Sequence, residues 1–163
     1  MSEARAEVEI RAADFLLADE YAALCAGAPG SGACVLFTGR VRADGALGPL
    51  AALELEHYPG MTERSIGAVI AEARARWDLQ AVRVVHRVGR LAVGEQIVLV
   101  GVAAAHRGDA FGAAGFVMDY LKTRAPIWKK EHGAVGAVHW VESRASDVAA
   151  AARWDEGQNV ETR

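Results

Sequence analysis

The sequence predicts an α+β domain, with helices packed on a mostly antiparallel sheet. Three observations predict it. Hydrophobic residues fill 52% of the 163 positions and charged residues 24%, which is enough for a full core and excludes wholesale disorder. Strand-sized apolar runs alternate with stretches of helical spacing, in the order helix, strands, helix, strands, helix, strand, helix. The strand runs come in hairpin-like pairs, nothing repeats at a fixed period, and no low-complexity linker divides the chain. Residues 1–154 therefore read as one domain and 155–163 as a frayed tail.

Residues 1–12 are a loose start, with Val8 to Ile10 a short strand. Asp14 is positioned to cap a helix reaching Ala26, with Phe15, Leu16, Tyr21 and Leu24 as apolar contacts. Ala28 to Gly32 is a Pro/Gly/Ser loop. Ala33 to Thr38 is a continuous apolar strand, followed by a basic strand end and loop from Gly39 to Gly45. Ala51 to Tyr58 alternates, with Leu53, Leu55 and His57 on one face and Glu54, Glu56 and Tyr58 on the other. Pro59-Gly60 turns the chain, and Thr62 suits the N-cap of a helix carrying Ile66, Val69, Ile70, Ala73 and Trp77. Ala81 to Val88 is a strand, Gly89 to Gly94 a turn, and Glu95 to Ala105 a long strand. A helix from Asp109 to Thr123 places Phe111, Ala114, Met118 and Leu121 on one stripe. Val138 to Glu142 is a last strand, and Ser146 starts an alanine-rich helix to Trp154.

The bulk numbers narrow the function. A net charge of -3 and a pI near 6.0 argue against a dedicated nucleic-acid binder. No charged and apolar leader opens the chain, and no apolar run reaches membrane length, so a cytoplasmic protein is expected. Two cysteines, Cys25 and Cys34, are too few for a zinc site and read as inert thiols, and five scattered histidines suggest no metal. Rossmann and P-loop glycine fingerprints are absent.

Against that acidic background, Lys122, Arg124, Lys129 and Lys130 crowd into one stretch. Local positive charge points to a small anionic ligand rather than a long polyanion. Pro126 must stop the helix near Thr123 or Arg124 and can open a short second turn carrying Lys129, so that Lys122 and Lys129 reach one cleft. A lysine among other cations has its pKa lowered, which suits proton transfer or oxyanion stabilisation. The alternative is a solvated cationic helix end. His106-Arg107, between a strand and a helix N-terminus, fit an anion site or merely a solvated loop. Arg40 and Arg42 flank Val41 and point the same way in an extended chain. Either an anion sits between them or they decorate an edge strand.

Phe37-Thr-Gly-Arg-Val-Arg42, Leu55-Glu-His-Tyr-Pro-Gly-Met-Thr62, His86-Arg-Val-Gly89, Ala105-His-Arg107 and Met118 to Glu131 occur in this order, continued by Trp140-Val-Glu-Ser-Arg144. Together they closely resemble the large, catalytic subunit of molybdopterin synthase, over roughly residues 30–154. The resemblance implies an α/β hammerhead-type fold with a small added β subdomain. It implies a sulfurtransferase that converts cyclic pyranopterin monophosphate to molybdopterin, with no permanently bound cofactor. Sulfur would come from the thiocarboxylated C-terminal glycine of a small ubiquitin-like partner subunit. Two copies of this chain would form the centre of a heterotetramer. Lys122 and Lys129 would be catalytic. Arg40, Val41, Arg42, His106, Arg107, Lys130 and Glu131 would bind substrate, with Arg144 supplied by this or the neighbouring large subunit. A non-catalytic module that holds a Gly-Gly tail or a nucleotide-like anion is the alternative.

Overall fold

The computed structural model describes residues 5–156. Its element order is β1 (Val8–Arg11), α1 (Leu17–Ala26), β2 (Ala33–Arg40), β3 (Asp44–Gly45), β4 (Gly48–His57), α2 (Met61–Arg76), β5 (Leu79–Arg87), β6 (Gly89–Ala92), β7 (Gln96–Ala104), α3 (Arg107–Arg124), β8 (Ile127–Gly133), β9 (Val138–Val141) and α4 (Ala145–Glu156). The expected α+β class is borne out. One sheet runs β1-β5-β7-β2, antiparallel except for the parallel β1–β5 pair. A second runs β3-β4-β8-β9, with β6 also paired to β4.

Strand alternation builds two layers on the first sheet. Val82 and Val84 of β5 and Val98, Val100 and Val102 of β7 face α2 and α3 in the main core. Val85, Leu99 and Ala103 face the other side, where Phe15 and Leu24 cover them. On that side Arg83 and Glu20 are a buried ion pair, 2.8 Å from Nε to Oε2, and Glu9 also binds the guanidinium. Phe116 is fully buried and meets Trp77, Tyr120 and Trp154 edge-on at centroid distances of 5.5, 4.6 and 5.6 Å. Each such pair contributes about 0.5–1.5 kcal/mol beyond area burial, and together they lock α3 between α2 and α4.

Several expectations are corrected. Asp14 caps no helix: its Oδ1 accepts from the Phe15 N–H and from Gln96 Nε2. Thr62 lies inside α2, not at its cap, and is fully buried; its hydroxyl reaches the carbonyls of Tyr58 at 3.0 Å and Pro126 at 3.2 Å. The cap position belongs to Gly60, at φ 81, whose N–H donates to Glu63 Oε2. Phe111 is 66% exposed, and the buried face of α3 runs through Ala110, Ala113, Ala114, Val117 and Leu121 instead. Small alanines let the helix approach closely, and the phenylalanine it buries is Phe116. Gly89 to Ala92 is a strand edge on β4, not only a turn. Asp155 is no frayed residue: α4 includes it, and its Oδ1 accepts from the Tyr120 hydroxyl at 2.7 Å. The rest of the expected tail, 157–163, lies outside the described residues.

The two cysteine sulfurs are 3.7 Å apart, both free, and burial pushes the Cys34 thiol up, which keeps it protonated. No helix among the described residues is long and apolar enough to cross a membrane.

Candidate active site

Pro126 determines how the site is built. Ala125 takes an extended conformation at ψ 127, as a residue before proline must, and α3 ends at Arg124. Beyond Pro126 the chain does not form the short helical turn expected from sequence. Residues Ile127–Gly133 enter the second sheet as β8, in register with β4 so that Lys129 pairs with Leu55 and Glu131 with Leu53. The Thr62 hydroxyl on the Pro126 carbonyl ties this bend to α2.

The bend leaves a cavity of about 400 Å³ lined by both sheets, the end of α3 and the connection from β9 into α4. Lys122 enters from α3 and Lys129 from β8; Arg40 ends β2, Val41 and Arg42 follow it, and Arg144 precedes α4. Apolar walls come from Leu53, Ile97, Val98, Met118 and Leu121. Lys122 and Lys129 thus share one hollow, and Arg144 lines the cavity of its own chain.

The electrostatics differ between the two lysines. Lys122 is exposed, with Nζ 3.9 Å from Asp147 Oδ2. Lys129 is half-buried, and burial pushes its pKa below the usual lysine value. The charges of Lys122, Arg144 and Arg42 push it the same way, while Asp147 opposes them. An amine held this way can take and return a proton near neutral pH more readily than a free lysine.

Glu131 is 7% exposed and accepts from the Ala46 N–H at 2.9 Å. That bond fixes the β3–β4 hairpin against β8. Gly45 makes it possible, since a Cβ there would lie 2.6 Å from Glu131 Cδ and 2.7 Å from Leu50 Cδ2. Arg40 is partly committed, donating from Nε to the Gly94 carbonyl at 2.9 Å.

Three expected site residues lie elsewhere. Lys130 does not border the cavity. Strand alternation turns it to the opposite face, where Nζ is 3.8 Å from both Glu54 and Glu56 carboxylates and 4.5 Å from the Trp140 ring centroid. His106 and Arg107 start α3, whereas Lys122 lies near its end. Fifteen residues of helix separate Arg107 from Lys122, about 22 Å at 1.5 Å per residue. Within one chain these two residues and the lysines do not meet.

Sequence reasoning also missed cavity residues. His86 and Asp147 both line it, and neither was singled out for chemistry. His86 opened one of the short motifs, which was a usable signal. Asp147 sits in an alanine-rich helix start and gave none.

A model of the MoaE protein family matches residues 10–124. The chain is 53% identical over 147 residues to a protein of Yersinia pestis called molybdopterin synthase catalytic subunit, covering 90% of this chain and 96% of that one. Its fold matches the molybdopterin biosynthesis MoaE protein from Burkholderia ambifaria at a TM-score of 0.78 and 51% identity, over 93% of this chain and 99% of that one. It matches molybdopterin synthase from Staphylococcus aureus at a TM-score of 0.78 and 29% identity, over 85% and 98% of the two chains. The alignments to relatives run past the family match and take in most of the cavity, and on these grounds the chain belongs to the MoaE family.

Proposed function

We propose that this chain is the catalytic, sulfur-transferring subunit of a molybdopterin synthase. One observation carries the reading to the level of residues: Lys122 and Lys129, brought from a helix and a strand, share a cavity with Arg42 and Arg144. The names of its relatives support the activity. The substrate of the reading is cyclic pyranopterin monophosphate and the product molybdopterin. The sulfur donor is the thiocarboxylated C-terminus of a small ubiquitin-like subunit, and the setting is the cytoplasm.

Both reactants are anions, and a hollow lined by the five cations Arg40, Arg42, Lys122, Lys129 and Arg144 suits them. Charge-assisted hydrogen bonds contribute about 1.5–3 kcal/mol each. Sulfur transfer from a thiocarboxylate leaves an acyl link whose hydrolysis passes through a tetrahedral oxyanion. The Lys122 ammonium, at the open side, is suited to stabilise that charge. Lys129, with its lowered pKa, is suited to move the protons that hydrolysis and loss of water from the pterin require. Arg42 and Arg144 supply forks for phosphate. His106 and Arg107 can join this work only from a second copy, which agrees with a central dimer of this chain.

The test is reconstitution. Purified chain, thiocarboxylated small subunit and cyclic pyranopterin monophosphate should yield a dithiolene product. Lys122→Ala should fold normally and lose about 10²–10⁴ in turnover, the scale of a positioned acid–base or oxyanion group. Tail and pterin bound without conversion by the wild-type chain would instead mean a binding module.

A further inference from the structure

His86 lines the cavity, yet the sulfur-transfer reading gives it no role. It lies near the end of β5 on the face that carries Val82 and Val84 into the core, and it is 6% exposed. Its Nδ1 is 2.8 Å from the Arg87 carbonyl oxygen. A carbonyl only accepts, so Nδ1 carries the proton and Nε2 keeps its lone pair. Among the described residues no group hydrogen-bonds Nε2. Nor is Nε2 sealed in the core, for the only wholly buried, unpartnered side-chain nitrogen or oxygen among them is Arg11 Nε. An unpaired, unsealed nitrogen on a residue that lines the cavity looks into the cavity.

The surroundings explain why an imidazole suits this position. Apart from Ser143, the other polar side chains of the cavity are ionic. The cations only donate hydrogen bonds, the buried Glu131 is tied to Ala46, Asp147 pairs with Lys122, and Asp44 and Glu142 accept only as charged groups. A carboxylate at position 86 would pair with Lys129 and hold it protonated. A neutral imidazole accepts a hydrogen bond and leaves Lys129 alone. Burial, aided by the nearby Lys129 charge, keeps His86 in that form by pushing its pKa down to about 4.

We propose that His86 binds the substrate, its Nε2 accepting a hydrogen bond from an N–H of a flat, phosphate-bearing heterocycle seated on the apolar walls of the cavity. The assignment rests on the sulfur-transfer reading and names which atom of the site reads the ring. The cations hold the phosphate and carry out the transfer; His86 separates a heterocycle with an N–H at this point from one that offers only an acceptor.

The experiment uses the full chain labelled with 15N-histidine, titrated with cyclic pyranopterin monophosphate in the absence of the sulfur-loaded carrier. The His86 Nε2 resonance, assigned by its loss in His86→Gln, should shift toward the hydrogen-bonded position as the site fills. In the complete assay, His86→Leu should raise the KM for the pterin about 10–100-fold, with the KM for the loaded carrier unchanged. His86→Gln, which keeps an acceptor, should recover most of that loss. If His86→Leu fails to fold, the resonance decides alone. A resonance that stays put at saturation, or equal rises in both KM values, overturns the assignment while leaving the sulfur-transfer reading intact. A wild-type chain that neither binds nor converts the pterin overturns both.

Discussion

Gly45→Ala should damage both the fold and the site, and the structure gives the size of the effect. The new methyl carbon would lie 2.6 Å from Glu131 Cδ and 2.7 Å from Leu50 Cδ2. Comfortable carbon–carbon contact is about 3.5–4.0 Å, so an overlap of roughly 1 Å must be relieved. Either the Glu131 side chain swings away or the β3–β4 hairpin opens; both break the bond from the Ala46 N–H. Overpacking costs about 1–3 kcal/mol, and a hydrogen bond to a charged group about 1.5–3 kcal/mol. Since relief of the overlap and loss of the bond partly overlap, about 2–4 kcal/mol is expected. For a chain of this length that lowers Tm by about 4–16 °C. Differential scanning calorimetry measures it. With Glu131→Ala already in place, Gly45→Ala should cost less, because the obstructing carboxylate is gone and only the Leu50 overlap remains. An unchanged Tm for the single variant, or additive losses in the pair, would refute the account.

Four further outcomes are expected. Gly67→Ala, in the middle of α2 with no atom near a new Cβ, should stabilise by about 0.5–1 kcal/mol in denaturant titration. Glu20→Gln removes the buried one of the two carboxylates on Arg83 and leaves Glu9 alone to pair with it, and should cost about 1.5–3 kcal/mol by the same measurement. Lys130→Ala should leave turnover near wild type while Lys129→Ala abolishes most of it, because only Lys129 faces the cavity. Asp147→Asn removes the one charge that raises the Lys129 pKa. The neutral amine then forms at lower pH, so the rising limb of the turnover–pH profile should move to lower pH; a move to higher pH contradicts the assignment.

Local patterning made much of this fold readable. The alternation of Leu53 and Leu55 with Glu54 and Glu56 is the pleat of β4, and the periodic Ile66, Val69, Ile70 and Ala73 are the buried face of α2. Pro126 announced the end of α3. The path beyond it was hidden, because the conformation of Ile127–Gly133 comes from pairing with β4, far away in sequence. Lys130 was assigned to the site by the family resemblance, and the strand turns it to the face opposite Lys129. Phe111 shows a different blind spot. Hydrophobicity promoted it into the core stripe, whereas the available space went to Ala110, Ala113 and Ala114. The separation of His106 and Arg107 from the lysines follows from the length of α3, and motif order along a chain carries no distance.

The start of α4 borders the cavity through Arg144 and Asp147, while α3 brings its C-terminal part there through Leu121 and Lys122. Helices that hold phosphate usually present their amide end; α3 presents the partial negative charge of its other pole, about half an elementary charge. The α4 start offers the opposite pole, so the two main-chain ends offset each other and the side-chain cations supply most of the attraction. A single cation-to-neutral replacement here should weaken anion capture more than it would where main-chain amides act unopposed.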